Sequence, residues 1–167
     1  MNLQIYHPVV SHIISLLKEN NFRYESFEHA PVRTSIEAAK IRTGYTLSQG
    51  TKALIVRVKA DGKKFLVMLV IPGDKKFDSE KVRTLLHSKD IRFATEEEVI
   101  KITDGVLPGG VPPFGNLFNI PVYIDPKVLE NEKIIFNAGD RSFSIAMKSE
   151  DYFTLVRPIV SPLTSEG

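Results

Sequence analysis

Two parts of this sequence are suited to chemistry: Lys52, and the loop Leu107-Pro108-Gly109-Gly110-Val111-Pro112-Pro113-Phe114-Gly115. Lys52 sits in an apolar run, Thr51 to Lys59, where an ammonium needs a partner or a polar cavity. A strand-end lysine can instead lay its methylenes along the surface and reach water. The loop holds three glycines and three prolines in nine residues. Glycine opens backbone conformations closed to other residues, and proline fixes φ and removes a donor. Such a loop presents bare peptide groups in a set geometry, or is simply a rigid turn between elements.

Other candidates are weaker. His29 precedes Ala30-Pro31 and is of the residue type that titrates near neutrality, so it reads as a general base or as a turn histidine bonded to backbone. The segment Asn137-Ala138-Gly139-Asp140-Arg141-Ser142 reads as a hairpin turn with Gly139 at positive φ. Its alternative is a pocket wall opposite Lys52, made by Asn137, Gly139 and Ser144. Several chemistries are excluded. Without cysteine there is no disulfide and no thiolate, and His7, His12 and His87 lack metal-ligand spacing. Neither a G-x-S-x-G elbow nor a G-x-x-x-x-G-K-[ST] loop is present, so no metal or cofactor is expected.

At 167 residues the chain is long enough for one packed domain and short for two, so a single domain over 1–167 is expected. Composition is ordinary for a globular protein, with 43% hydrophobic and 25% charged residues. No apolar run approaches the roughly 20 residues that cross a bilayer, and Met1 to Glu19 lacks a signal-peptide pattern. Neither a membrane nor DNA is expected as partner, and the absence of cysteine is compatible with a cytoplasmic location. A net charge of +2 is too small for the phosphate-neutralising face of a duplex binder, though a local basic patch remains open.

The elements that must position these residues are legible in outline. Val9, Val10, Ile13, Ile14, Leu16 and Leu17 share a helical face, with Pro8 in the first turn and Asn20-Asn21 as the stop. A strand follows from Phe22 to Glu28. Thr34 and Glu37 open a short helix, as do Asp78-Ser79 and the Thr95/Glu98 pair. Asp61-Gly62 predicts a hairpin between Thr51–Lys59 and Phe65–Ile71, the second strand being apolar enough to be covered on both faces. Three more strands are expected at Pro121–Ile124, Lys133–Phe136 and Phe143–Lys148, then a helix capped by Ser149 and a proline-marked tail. The fold class is α+β, with helices covering a mixed, mostly antiparallel sheet.

The segments FEHAPVRTSIEAAKIRTG, TKALIVRVK, FLVMLVIPGDKKFD, GVLPGGVPPFG, IPVYID and FNAGDRSFSIAM, in that order, resemble the YbaK/prolyl-tRNA-synthetase-associated editing-domain family. The resemblance runs from Phe22 to Val156. It implies a trans-editing aminoacyl-tRNA deacylase, which hydrolyses the ester of mischarged tRNA, with tRNA-Pro carrying a small wrong amino acid as the first candidate. The implied partners are the aminoacyl-tRNA acceptor end and prolyl-tRNA synthetase. Lys52 matches the family's functional lysine, and Gly109 through Pro113 its G-x-x-x-P loop. Asn137-Ala138-Gly139 matches the small-residue segment lining the aminoacyl pocket, while Phe27 and His29 fall on an aromatic-x-His segment. On this resemblance Lys52 positions the substrate, Gly109 and Gly110 hold water or oxyanion, and Pro113 and Ser144 help bind. The vicinal ribose hydroxyl supplies proton transfer.

The sequence also departs from the family. Cysteine-specific members carry serine and aspartate where Asn137 and Ser144 stand, and the loop has V-P-P where many have serine before the proline. The amino acid removed is therefore open at this point. A catalytically weak tRNA-end or synthetase-binding module is the alternative.

Overall fold

The computed structural model describes residues 2–32, 34–42 and 44–166. The first long helix, α1 (Pro8–Glu19), starts where the His7 side chain accepts the Val9 N–H, and it buries Val9, Val10, Ile13, Ile14 and Leu17. It ends in a Schellman motif, with Phe22 N–H donating to Leu17 O and Asn21 N–H to Lys18 O, Asn21 taking φ +56°. That closure consumes Phe22, so the expected strand starts later, as β1 (Tyr24–Glu28). Thr34 caps α2 (Ser35–Ile41) by accepting the Glu37 N–H.

The hairpin of β2 (Thr51–Ala60) and β3 (Lys63–Pro72) closes through Asp61-Gly62, both at positive φ as a type I′ turn requires. This register sets Lys52 opposite Ile71. Next come α3 (Ser79–Leu86), capped by Asp78, and a short edge strand β4 (Asp90–Phe93) absent from the sequence reading. A complete capping box between Thr95 and Glu98 opens α4 (Glu96–Thr103). Beyond the glycine-proline loop lie β5 (Val122–Ile124) and a single helical turn, α5 (Pro126–Leu129).

Two expectations need correction here. The strand read as Lys133–Phe136 runs on as β6 (Lys133–Asp140), so Asn137-Ala138-Gly139 is strand with a bulge before Asp140, not the turn. The turn itself is Arg141-Ser142, leading into β7 (Phe143–Lys148). Ser149 is not the cap of α6 (Ser149–Val156): Lys148 holds that place, and the Ser149 hydroxyl turns back to donate to Asn131 O at 2.5 Å. The tail contributes a two-residue strand, β8 (Ile159–Val160).

The strands form two sheets, ordered β1-β7-β6 and β4-β2-β3-β5-β8, antiparallel except for the β3–β5 and β5–β8 pairs. They meet at a parallel bridge between Gly50 and Ile135, where Ile135 N–H donates to Gln49 O at 3.0 Å. As expected, β3 is covered on both faces. Met68 and Val70 join the larger core with α1, β6 and β7, while Val67, Leu69 and Ile71 pack with Val82 and Leu163. No helix among the described residues is long and apolar enough to cross a membrane.

Asp125, buried ahead of α5, pins the C-terminal tail. Its carboxylate accepts from the N–H groups of Lys127, Leu163 and Thr164 and from the Thr164 hydroxyl. Burial pushes this carboxyl up, but the hydrogen bonds together outweigh it and hold it below the usual aspartate range. A depressed carboxyl stabilises the fold above its unfolded pKa of about 3.9, and that contribution is lost as pH falls through the lower folded value. The Leu163 and Thr164 amides are therefore expected to lose exchange protection at acid pH before those of β3 do. Equal loss of protection in both would contradict this assignment.

Candidate functional site

The site lies where the two sheets meet. A cavity of about 200 Å³ is walled by Gly50 just before β2, Lys52 at the start of β2, Arg42 from the end of α2, Gly109 and Val111 from the loop, and Asn137 from β6. That volume is below the range of roughly 300–1,000 Å³ typical of drug-sized ligands, so it suits a small group. Lys52 Nζ makes no hydrogen bond and no ion pair among the described residues. Burial pushes its ammonium below the ordinary lysine range, and Asp74 at longer range pulls it partly back.

Four anchors fix the loop. The Tyr152 hydroxyl donates to the carbonyl of Pro113, and Phe114 packs against the rings of Phe136 and Tyr152 at 5.5 and 5.3 Å. Arg141 Nε donates to Pro108 O at 2.7 Å, and Asn137 Nδ2 donates to Gly109 O at 2.7 Å. Gly109 takes φ +90°, where an L side chain is strained and a Cβ would come 3.1 Å from Arg141 Nε. The N–H groups of Gly109 and Val111 have no acceptor among the described residues. They are the unused donors on the loop residues that line the cavity.

Behind the cavity runs a polar chain. Arg42, 7% exposed, donates from Nε to Ser144 Oγ at 3.1 Å and from Nη2 to Asn137 Oδ1 at 2.9 Å. Ser144 is hydrogen-bonded in turn to His29 Nε2 at 2.7 Å. The Ala30 carbonyl can only accept, so His29 Nδ1 donates to it, at 2.8 Å. Arg42 has no carboxylate within ion-pair distance among the described residues, and burial alone brings its guanidinium down to about 10. It stays charged at neutral pH.

A family model for the aminoacyl-tRNA editing domain matches residues 29–155, a span that includes every cavity residue named above. The chain belongs to the aminoacyl-tRNA editing domain family. Among similar proteins is the Escherichia coli (strain K12) multifunctional Ser/Thr-tRNA deacylase ProXp-y, 29% identical over 147 residues, or 87% of each chain. The proline–tRNA ligase of Bacillus subtilis (strain 168) is 36% identical over 90 residues, 53% of this chain and 15% of that enzyme. A crystal structure provisionally described as a trans-editing enzyme for prolyl-tRNA synthetase superposes with a TM-score of 0.80. It is 25% identical and covers 96% of this chain and 99% of that one.

Within this editing domain the sequence-derived residues separate. Lys52, Gly109 and Asn137 line the one cavity. His29 and Ser144 stand behind it through Arg42 and Asn137. Gly110 is not in its wall: its N–H is taken by Leu107 O at 2.9 Å, and a Cβ there would come 3.2 Å from Asp140 Cα. The oxyanion role expected of Gly110 thus has no free donor, whereas Gly109 and Val111 have one each. Pro113 is a buried loop anchor. Ala138 faces the hydrophobic core. Gly139, at φ +125°, lies under α1, where a Cβ would come 2.4 Å from Val9 Cγ1. Phe27 pairs with Ser144 across β1–β7 and packs edge-on to Tyr45 at 6.0 Å, outside the cavity wall.

Sequence reasoning missed Arg42. It lies in the segment Lys40-Ile41-Arg42, an ordinary helix end where a cation normally meets water or the helix dipole.

Proposed function

We propose that this protein is a trans-editing deacylase that hydrolyses the ester between a small, wrongly attached amino acid and the 3′ end of a tRNA, with tRNA-Pro the first candidate. The observation carrying this reading is the half-buried Lys52 ammonium, without a protein partner among the described residues, in one small cavity with the free N–H of Gly109. Membership of the editing family supports the reaction class. Likeness to a segment of proline–tRNA ligases supports tRNA-Pro and a prolyl-tRNA synthetase partner, while the name of the E. coli relative adds serine and threonine as candidate amino acids. The whole chain then acts as one editing unit.

In this mechanism Lys52 holds the terminal adenosine or its phosphate and fixes the ester at the cavity mouth. Water adds to the ester carbon, and the carbonyl oxygen gathers charge facing the N–H groups of Gly109 and Val111. The bond to the ribose oxygen then breaks, and the proton lost by water ends on that oxygen. The vicinal ribose hydroxyl carries the proton, as the family resemblance implies, and the cavity wall holds no imidazole or carboxylate among the described residues to compete with it. An aminoacyl ester is already activated, which makes positioning and charge relief sufficient.

The test compares one amino acid attached to tRNA-Pro with its methyl ester. The expected result is rapid release from tRNA and little from the methyl ester, because Lys52 then has no nucleotide to hold. Equal turnover of both would contradict the reading in favour of a general small-ester hydrolase.

A further inference from the structure

Arg42 sets the strongest electrostatic constraint on what enters the cavity. A buried cation without a carboxylate is costly unless its donors are satisfied. A guanidinium offers five N–H donors in a planar fork. Here one edge is committed, Nε to Ser144 Oγ and Nη2 to Asn137 Oδ1. Nη1 makes no hydrogen bond among the described residues, yet no buried side-chain polar atom there is left unsatisfied. Nη1 therefore keeps access to the cavity that Arg42 lines. Gly50 leaves the approach open, since a Cβ there would come 3.5 Å from Nη1.

Position decides which part of a substrate meets it. Lys52 is only half-buried, whereas Arg42 is 7% exposed. A polynucleotide cannot follow its ester into a cavity of about 200 Å³, so the ribose stays with Lys52 at the mouth. Asn137 stands between Gly109, whose carbonyl it holds, and Arg42. The guanidinium is thus one side chain beyond the loop donors that face the ester. What reaches it is the side chain of the amino acid.

Resting on the deacylase reading above, we propose that Arg42 is a specificity-determining residue whose free Nη1 edge hydrogen-bonds an oxygen on the substrate side chain. Hydroxyl-bearing amino acids are then preferred to isosteres that put a methyl group or hydrogen there. An apolar occupant shuts Nη1 off from solvent and returns no acceptor, which strands a buried charged donor. Ser144 and Asn137 act through Arg42, holding the fork's other edge so that Nη1 stays aimed.

The experiment uses threonine against valine, and serine against alanine, each attached to the same tRNA-Pro, and reads the ratio of kcat/KM within each pair. Wild type is expected to favour threonine over valine by about 10²-fold or more. Arg42→Met should bring the ratio toward unity, chiefly by raising the relative rate on valine. Arg42→Lys, which keeps the charge but loses the fork, should fall between. A loss of folded protein lowers both members of a pair alike and leaves the ratio unmoved, so stability effects are separated from specificity. Wild type releasing valine as fast as threonine overturns the inference without any variant, as does an Arg42→Met protein that keeps the preference. Release from none of the four, nor from tRNA-Pro charged with cysteine, overturns the reading as a tRNA-Pro deacylase itself.

Discussion

Replacing Lys52 with methionine is expected to lower amino-acid release from mischarged tRNA by about 10²- to 10³-fold, the usual effect of losing one positioning or charge-stabilising group. Its thermal midpoint should stay the same or rise. The ammonium makes no hydrogen bond among the described residues, and burial depresses its pKa. The sign follows from proton linkage. A lysine whose folded pKa lies below its unfolded one binds fewer protons when folded, so its burial opposes folding wherever it is protonated. Neutral pH is within that window, and methionine removes the charge while keeping the unbranched shape. Loss of activity with unchanged or raised stability marks Lys52 as kept for function. An active variant, or an inactive one that unfolds, would move Lys52 among the structural residues.

The second large effect concerns Gly139. Substitution by alanine is expected to cost about 2–6 kcal/mol, combining left-handed backbone strain with overpacking. Its φ of +125° disfavours any side chain, and the new Cβ would stand 2.4 Å from Val9 Cγ1 and 3.1 Å from Val10 Cγ2. Those are stiff β-branched residues on α1, which must lift from β6 to make room. A folded domain has only about 5–15 kcal/mol to lose, so much of the variant is expected to unfold at modest urea concentrations. The folded remainder should keep its specific activity, because Gly139 points at α1 and not into the cavity. A stable but inactive variant would instead restore Gly139 to the pocket wall.

The contrast between these two residues shows what the sequence can carry. Lys52 stood out as a charge in a strand otherwise rich in apolar residues, but those residues left a strand-end lysine equally open and the family resemblance singled it out. The Asp61-Gly62 turn fixes that strand's register from two residues alone. The Thr95/Glu98 box and the doubly covered β3 were legible for the same reason: their signals are local. Gly139 was misplaced because its turn-like neighbours conceal a requirement set by α1, far away in sequence. Gly110 was assigned a donor role that depends on where its N–H points, and a turn to Leu107 uses it up. Arg42 carried no signal. Its meaning arises when Ser144 and Asn137, on strands about a hundred residues later, close over one edge of its guanidinium. Ser149 failed as a cap for a similar reason, its hydroxyl being drawn to Asn131.

The most direct measurement of the central claim is single-turnover release of alanine, cysteine, serine and threonine from tRNA-Pro by the wild-type protein, against spontaneous hydrolysis of each ester. The account predicts that at least one species is released well above its spontaneous rate, with the hydroxyl-bearing pair leading, and that Lys52→Met abolishes the excess. Release at the spontaneous rate from all four, with the protein folded and the tRNA intact, would contradict deacylation of tRNA-Pro and leave the cavity without the function assigned to it.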